Sequence, residues 1–135
     1  MFERCLYFNL NAAFRRVNKI WEQAFNDLGL SPAHAYLLRV VLAQPGISQQ
    51  GIATELKLER STVTRFIEAL ESRGFLLRNK SGRERLVYPT QAAREIADGL
   101  EQRGNMLYEQ MVDSLGEGAV VDLVGKLRSA GSKLS

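Results

Sequence analysis

The chain has 135 residues, of which 45% are hydrophobic, 24% charged and 8% aromatic. These values are typical of one compact unit, or of a small domain with helical extensions, and argue against a disordered chain. No apolar run approaches the roughly 18–20 residues that cross a bilayer, and no signal-peptide pattern opens the sequence, so we expect a cytoplasmic protein without a membrane partner. One cysteine (Cys5) and one histidine (His34) are too few for an internal disulfide or a structural zinc site. The composition therefore predicts neither a metal nor a cofactor.

The positive charge is concentrated in one segment. Residues 60–85 contain seven basic and three acidic residues, a net charge of +4, whereas the rest of the chain sums to −1. Such a concentration favours a surface for a polyanion. An ordinary solvated surface that happens to be basic is the alternative.

A long amphipathic helix is predicted over residues 3–28. Apolar residues recur along it every three or four positions, namely Leu10, Phe14, Val17, Trp21, Ala24 and Leu28. Further apolar residues widen this surface beyond one stripe, and a helix of that kind usually has more than one partner. We therefore expect part of it to contact another subunit.

The next three predicted helices include a helix-turn-helix. Ser31 and Pro32 begin the first of them as N-cap and first helical residue. Ser48 caps a short helix through residue 56, and a few residues connect it to a helix over 60–73. Two strands follow at 75–78 and 85–89, with a hairpin over 79–84. Thr90 caps a helix that runs to about residue 113, and the last helix covers 117–130.

Residue types on the helix over 60–73 favour DNA recognition. Four apolar residues fall on one side of this helix and predict that this side faces the core: Val63, Phe66, Ile67 and Leu70. The opposite side is short-chained and polar, and arginine, serine and threonine can contact base edges or phosphates. Arginines of a hairpin tip are attracted to the minor groove. The predicted DNA-binding residues are Ser48 and Gln49 at phosphate, Arg60, Ser61, Thr62, Thr64 and Arg65 in the major groove, and Lys80, Arg83 and Arg85 on the hairpin.

Four stretches of the sequence resemble the MarR family of bacterial transcriptional regulators. They read LGLSPA at 28–33, PGISQ at 45–49, STVTR at 61–65 and LESRGF at 70–75, and the resemblance extends over about residues 10–113 in order and spacing. It implies a mostly α-helical winged helix-turn-helix with a small β-hairpin wing. It also implies a homodimer that binds double-stranded DNA at a pseudo-palindromic operator, usually as a repressor.

The resemblance also implies a domain organisation and an input. Residues 1–28 and 114–135 would be dimerisation helices, 29–90 the DNA-binding domain and 91–113 a long connecting helix. Many members of the family release DNA when a small aromatic or phenolic effector binds. Candidates for such a site are Phe14, Trp21, His34, Tyr36 and Arg39, although aromatic residues at helical spacing are more often plain core.

The sequence departs from the family pattern at the wing. Arg83 matches the arginine of the usual Asp-x-Arg, but Ser81 stands at the aspartate, and Pro89 replaces a leucine after the second strand. None of these changes removes a predicted DNA contact.

The sequence bears on three other functions. The absence of an obvious nucleophile–base pair or phosphate-binding loop argues against an enzyme. A winged-helix module whose basic face binds an acidic protein is one alternative. A redox-sensing regulator that uses Cys5 is the other, although only Arg4 lies near enough in sequence to activate the thiol.

Overall fold

A computed structural model describes all 135 residues, and it is mostly helical with one small sheet. The helices are α1 (Leu6–Phe25), α2 (Pro32–Ala43), α3 (Gln49–Leu56), α4 (Arg60–Ser72), α5 (Gln91–Glu95), α6 (Ala97–Leu115) and α7 (Glu117–Leu134), and a 3-10 turn (Asn26–Leu28) follows α1. The strands are β1 (Ile47–Ser48), β2 (Leu76–Ser81) and β3 (Glu84–Pro89). This architecture confirms the predicted fold class. No helix is both long and apolar enough to cross a membrane.

The chain divides into two compact units, residues 1–101 and 102–135. The first unit holds α1 to α5, the start of α6 and the sheet. Its fully buried side chains come from every one of these elements, among them Phe25, Leu37, Leu38, Val41, Ile52, Val63, Ile67, Leu70, Leu76, Val87 and Leu100. The second unit consists of the rest of α6 and α7, and only Leu107 and Val120 are buried in it.

Three helix starts lie where the sequence places them. The side-chain oxygens of Ser31, Ser48 and Thr90 accept hydrogen bonds from backbone N–H groups in the first turns of α2, α3 and α5. Each bond satisfies a donor that the helix itself cannot pair. The predicted caps are therefore confirmed.

The sheet is larger than predicted. A third strand, β1, pairs with β3, so that Ile47 lies opposite Val87 and the strand order is β1-β3-β2. The hairpin is also tighter, because β2 reaches Ser81 and β3 begins at Glu84, which leaves a turn of two residues where six were expected. Gly82 has a φ of +60° there, which suits the first central position of a type II′ turn.

The predicted helix over 90–113 is broken. Ile96 has φ −101° and ψ 2° and separates α5 from α6, which runs on to Leu115. The last helix is longer than predicted and reaches Leu134. The first helix is shorter, because five residues precede α1 and its final turn is the 3-10 turn.

Candidate nucleic-acid interface

Helix α4 has one buried and one polar side. Val63, Ile67 and Leu70 are fully buried, as predicted, whereas Phe66 is only half-buried. Ser61 and Arg65 are exposed on the other side, and Glu59 at the N-cap makes no side-chain hydrogen bond to the helix. The first turn of α4 therefore presents backbone N–H groups that no cap satisfies, which is the arrangement that attracts anions.

A basic groove lies between α4 and the wing, which is the hairpin of β2 and β3. Its volume is about 530 Å³, and it is lined by Gln49, Arg60, Thr64, Glu68, Arg78, Arg83 and Arg85. Four arginines and one carboxylate give this groove a net positive charge. Three predicted site regions, namely α3, the start of α4 and the wing, thus meet around one cleft.

Three of these arginines are free within the protein. No hydrogen bond or ion pair holds the side chains of Arg60, Arg83 and Arg85, all of which are exposed. Lys80 lies directly opposite Arg85 in the hairpin register. Like charges at directly opposite positions repel each other, so a nearby anion would stabilise the hairpin of the wing.

Other predicted contact residues already have partners inside the chain. Ser48 uses its hydroxyl to cap α3, accepting from the N–H of Gly51 at 2.9 Å. Gln49 is only 7% exposed, and its side chain bonds Thr64 and Arg78. On α4, Arg65 donates to the hydroxyl of Thr62 at 3.3 Å. The sequence pattern identified these residue types but gave no sign of their mutual bonds.

Two arginines of the basic segment have structural roles that the sequence analysis missed. Arg73 donates hydrogen bonds to the carbonyls of Gly29 and Leu28, and its guanidinium lies 5.3 Å from the ring centre of Phe75. Arg78 forms an ion pair with Glu71 at 2.8 Å. No local signal distinguishes these arginines from the exposed ones, because their partners lie on other elements.

The structure brings together three of the five effector-site candidates. The indole N–H of Trp21 donates to the hydroxyl of Tyr36 at 3.1 Å, and the guanidinium of Arg39 lies 5.5 Å from the Tyr36 ring centre. Phe14 is 60% exposed and lies outside this group. A cleft of about 560 Å³ near the start of α2 is lined by none of the five candidates.

His34 packs against α4. Its ring lies edge-on to Phe66, with the two ring centres 4.8 Å apart. Burial, and after it the positive charge of Arg73, lowers the pKa of His34 below its ordinary value. His34 thus favours its neutral form in the folded protein.

Cys5 is exposed and caps the first helix. Its Sγ accepts a hydrogen bond from the N–H of Phe8 at 3.4 Å. This contact stabilises the start of α1 and does not test the redox alternative.

Comparison with known proteins gives concordant matches. Residues 30–85 match the model of the MarR family. The uncharacterized HTH-type transcriptional regulator YybA of Bacillus subtilis is 29% identical over 94 residues, which are 67% of this chain and 62% of that protein. The chain thus spans less than two thirds of the length of this curated relative.

Solved structures share the fold. One is BpsR of Bordetella bronchiseptica, whose DNA binding is regulated by 6-hydroxynicotinic acid. It is 22% identical to this chain, with a TM-score of 0.87, and the match covers 97% of this chain and 96% of BpsR. MepR of S. aureus, solved as a DNA complex, is 17% identical with a TM-score of 0.85 over 98% of this chain and 100% of its own. At these identities the likeness establishes the fold.

The lowered pKa of His34 predicts a pH dependence of stability. The unfolded chain takes up a proton at His34 near its ordinary pKa of about 6.5, before the folded chain does. The free energy of unfolding should therefore be greatest above that pH, fall as the pH drops through it, and level off below the lowered pKa of the folded state. Denaturant unfolding between pH 8 and about 5, at fixed protein concentration, measures this loss.

The variant His34→Gln is the matched control, since His34 is the sole histidine of the chain. Its stability should change less across the same window. An equal loss in both proteins would contradict the assignment of the effect to His34.

Proposed function

We propose that this chain is a transcriptional regulator of the MarR family, whose model matches residues 30–85, and that it binds double-stranded DNA of preferred sequence. The observation that carries the proposal is the basic groove beside the polar side of α4, with three exposed arginines that form no hydrogen bond or ion pair within the protein. A polyanion would supply the missing countercharge. Sequence preference requires side chains at base edges, and the exposed residues of α4 are suited to that task.

The roles proposed for individual residues follow from their positions. Arg60, Ser61, Thr62, Thr64 and Arg65 on α4 face the major groove, Ser48 and Gln49 at the start of α3 approach phosphate, and Lys80, Arg83 and Arg85 of the wing reach the minor groove or its backbone. We propose no enzymatic activity, because members of this family are DNA-binding regulators. A protein-interaction module with a basic face is the competing function, and a preferred DNA sequence separates the two.

Replacing Arg65 or Arg83 by alanine should weaken DNA binding in two different ways. If Arg65 bonds a base, Arg65→Ala should cost about 1–3 kcal/mol on the preferred duplex and relax the preference at one base pair per half-site. Arg83→Ala should weaken preferred and scrambled duplexes more evenly and reduce the salt slope by about one phosphate per subunit. Binding isotherms across a salt series, on both duplexes, measure the difference.

Both side chains are exposed, so neither variant should lose folding stability. Unchanged affinity of Arg65→Ala for the preferred duplex would mean that another side of α4 enters the groove. A wild-type chain that binds every duplex equally would instead favour the protein-interaction alternative.

The regulator is proposed to act as a homodimer on a pseudo-palindromic site. Two terminal helices expose large apolar residues, Leu6, Tyr7, Phe8, Leu10, Phe14 and Val17 on α1 and Val121, Leu123, Val124 and Leu127 on α7. Apolar surfaces of this extent mark contact with another molecule, and a second copy supplies a matching surface. These helices correspond to the predicted dimerisation segments 1–28 and 114–135.

A double substitution on α7 tests the dimer. The wild type should sediment at about twice its 15.1 kDa at micromolar concentration. Leu123→Glu with Leu127→Glu places two charges one helical turn apart in the proposed interface and should shift the mass towards the monomer. Lys126→Glu adds an acidic residue at a 76% exposed site of the same helix and should leave the mass unchanged.

Sedimentation of the wild type as a folded monomer would overturn the dimer. Dissociation by Lys126→Glu as well would show that net charge rather than apolar contact controls the mass.

A repressor role and release by an aromatic or phenolic acid complete the proposal. We place the binding site for this acid at Trp21, Tyr36 and Arg39, which contact one another. The aromatic rings offer stacking, and the guanidinium can pair a carboxylate. The structural relative BpsR, whose DNA binding 6-hydroxynicotinic acid regulates, has the same fold. Phe14 and His34 remain candidates outside this group, and redox input through Cys5 is the competing signal.

Binding of such an acid should change the fluorescence of Trp21, which is the single tryptophan of the chain. Titration with hydroxybenzoic acids and 6-hydroxynicotinic acid should alter its emission and release the preferred duplex. Arg39→Gln should abolish both effects, whereas Arg94→Gln, an exposed site on α5, should retain them. Release of DNA by these acids from Arg39→Gln would contradict the proposed site.

A further inference from the structure

Gln49 is the one polar side chain of the whole chain that is buried. It lies at the first position of α3, on the floor of the basic groove. Its Nε2 donates to Oγ1 of Thr64 at 3.1 Å, and its Oε1 accepts from Nη1 of Arg78 at 3.3 Å. A buried amide requires such partners, because an unmade hydrogen bond costs its full desolvation.

Arg78 extends these contacts to the far end of α4. Its Nη2 pairs with Oε1 of Glu71 at 2.8 Å, and the two side chains are only 16% and 28% exposed. Salt screens a partly buried pair of this kind less than it screens an exposed one. One continuous series of polar contacts, Thr64–Gln49–Arg78–Glu71, therefore connects α3, both ends of α4 and the first strand of the wing.

The hydroxyl of Thr64 is held from two directions. It donates its single proton to the carbonyl of Arg60 at 3.0 Å and accepts from Gln49. A hydroxyl has one donor and two acceptor positions, so these two bonds fix its orientation and leave one lone pair. Thr64 therefore lies in the proposed DNA-facing surface in a conformation that Gln49 sets.

We infer that Gln49 is a positioning residue for sequence preference: it orients Thr64 and, through Arg78, fixes the wing against the recognition helix, without its side chain contacting DNA. This inference rests on the proposed function and replaces the phosphate contact proposed for the Gln49 side chain. The NH₂ group and the carbonyl of its amide each make a bond within the protein, and the residue is only 7% exposed. The energetic effect on DNA would appear in the preference between sequences, since phosphate contacts elsewhere remain intact.

The test compares three variants on two duplexes, a preferred sequence selected from a random pool and a scrambled one. Gln49→Leu removes both bonds, Thr64→Val removes the acceptor, and Thr64→Ser keeps it. Gln49→Leu and Thr64→Val should lower the ratio of the two affinities about tenfold with an unchanged salt slope and little change on the scrambled duplex. Thr64→Ser should keep most of the preference.

The double variant Gln49→Leu with Thr64→Val separates positioning from independent contacts. If Gln49 acts largely through Thr64, the double variant should be little worse than either single one. Additive losses would overturn the orientation of Thr64 by Gln49. An equal loss on both duplexes in Gln49→Leu, which is the signature of a phosphate contact, would overturn the whole inference.

Folding and the underlying function are monitored separately. Circular dichroism and denaturant unfolding check each variant, and if Gln49→Leu does not fold, Thr64→Val against Thr64→Ser carries the test. Equal preference in those two variants would then overturn the inference. A wild type that prefers no duplex would refute the proposed function itself. A wild type with a preference that Gln49→Leu retains would refute only the positioning role of Gln49.

Discussion

The pairing of β1 with β3 joins the helix-turn-helix to the wing. Ile47 and Ser48 lie opposite Val87 and Leu86, and the N–H of Gly46 donates to the carbonyl of Val87 at 2.8 Å. Ser48 then caps α3 in the next step of the chain. Because one short strand both completes the sheet and starts a helix, the wing cannot shift without moving the start of α3.

The same connection leaves little space around α3. A side chain at Gly51 would begin 2.8 Å from Cγ1 of Ile47, closer than real Cβ contacts allow. Helix α3 thus lies tightly on β1, and its first residue, Gln49, enters the interior beside α4 and β2. The floor of the basic groove is fixed for this reason, whereas three of its four arginines, Arg60, Arg83 and Arg85, have no side-chain partner within the protein.

Much of this fold is legible in local sequence. Ser31, Ser48 and Thr90 are caps that act within one turn, and the apolar period of α4 places Val63, Ile67 and Leu70 in the core. Strand β1 escaped prediction because two residues show no alternation and pair with a strand about 40 positions away. The break at Ile96 interrupts an otherwise continuous apolar period, which periodicity alone does not register.

The candidate site was predictable in residue types but not in partnerships. Composition and charge could locate the basic segment, yet Arg73 and Arg78 within it bond groups on other elements. The Gln49–Arg78 contact joins residues 29 positions apart and depends on the tertiary fold. Sequence patterns describe which side of a helix is polar, whereas only the packed structure shows which polar groups are already satisfied.

The directly opposed Lys80 and Arg85 give the free wing an internal electrostatic cost. Added salt screens that repulsion and so favours the closed hairpin, while it also weakens attraction between the wing and phosphate. Ionic strength therefore acts in opposite directions on the order of the unbound wing and on its attachment to a polyanion. The repulsion between Lys80 and Arg85 is thus reduced in two ways, by dissolved ions in concentrated salt and by a bound polyanion in dilute salt.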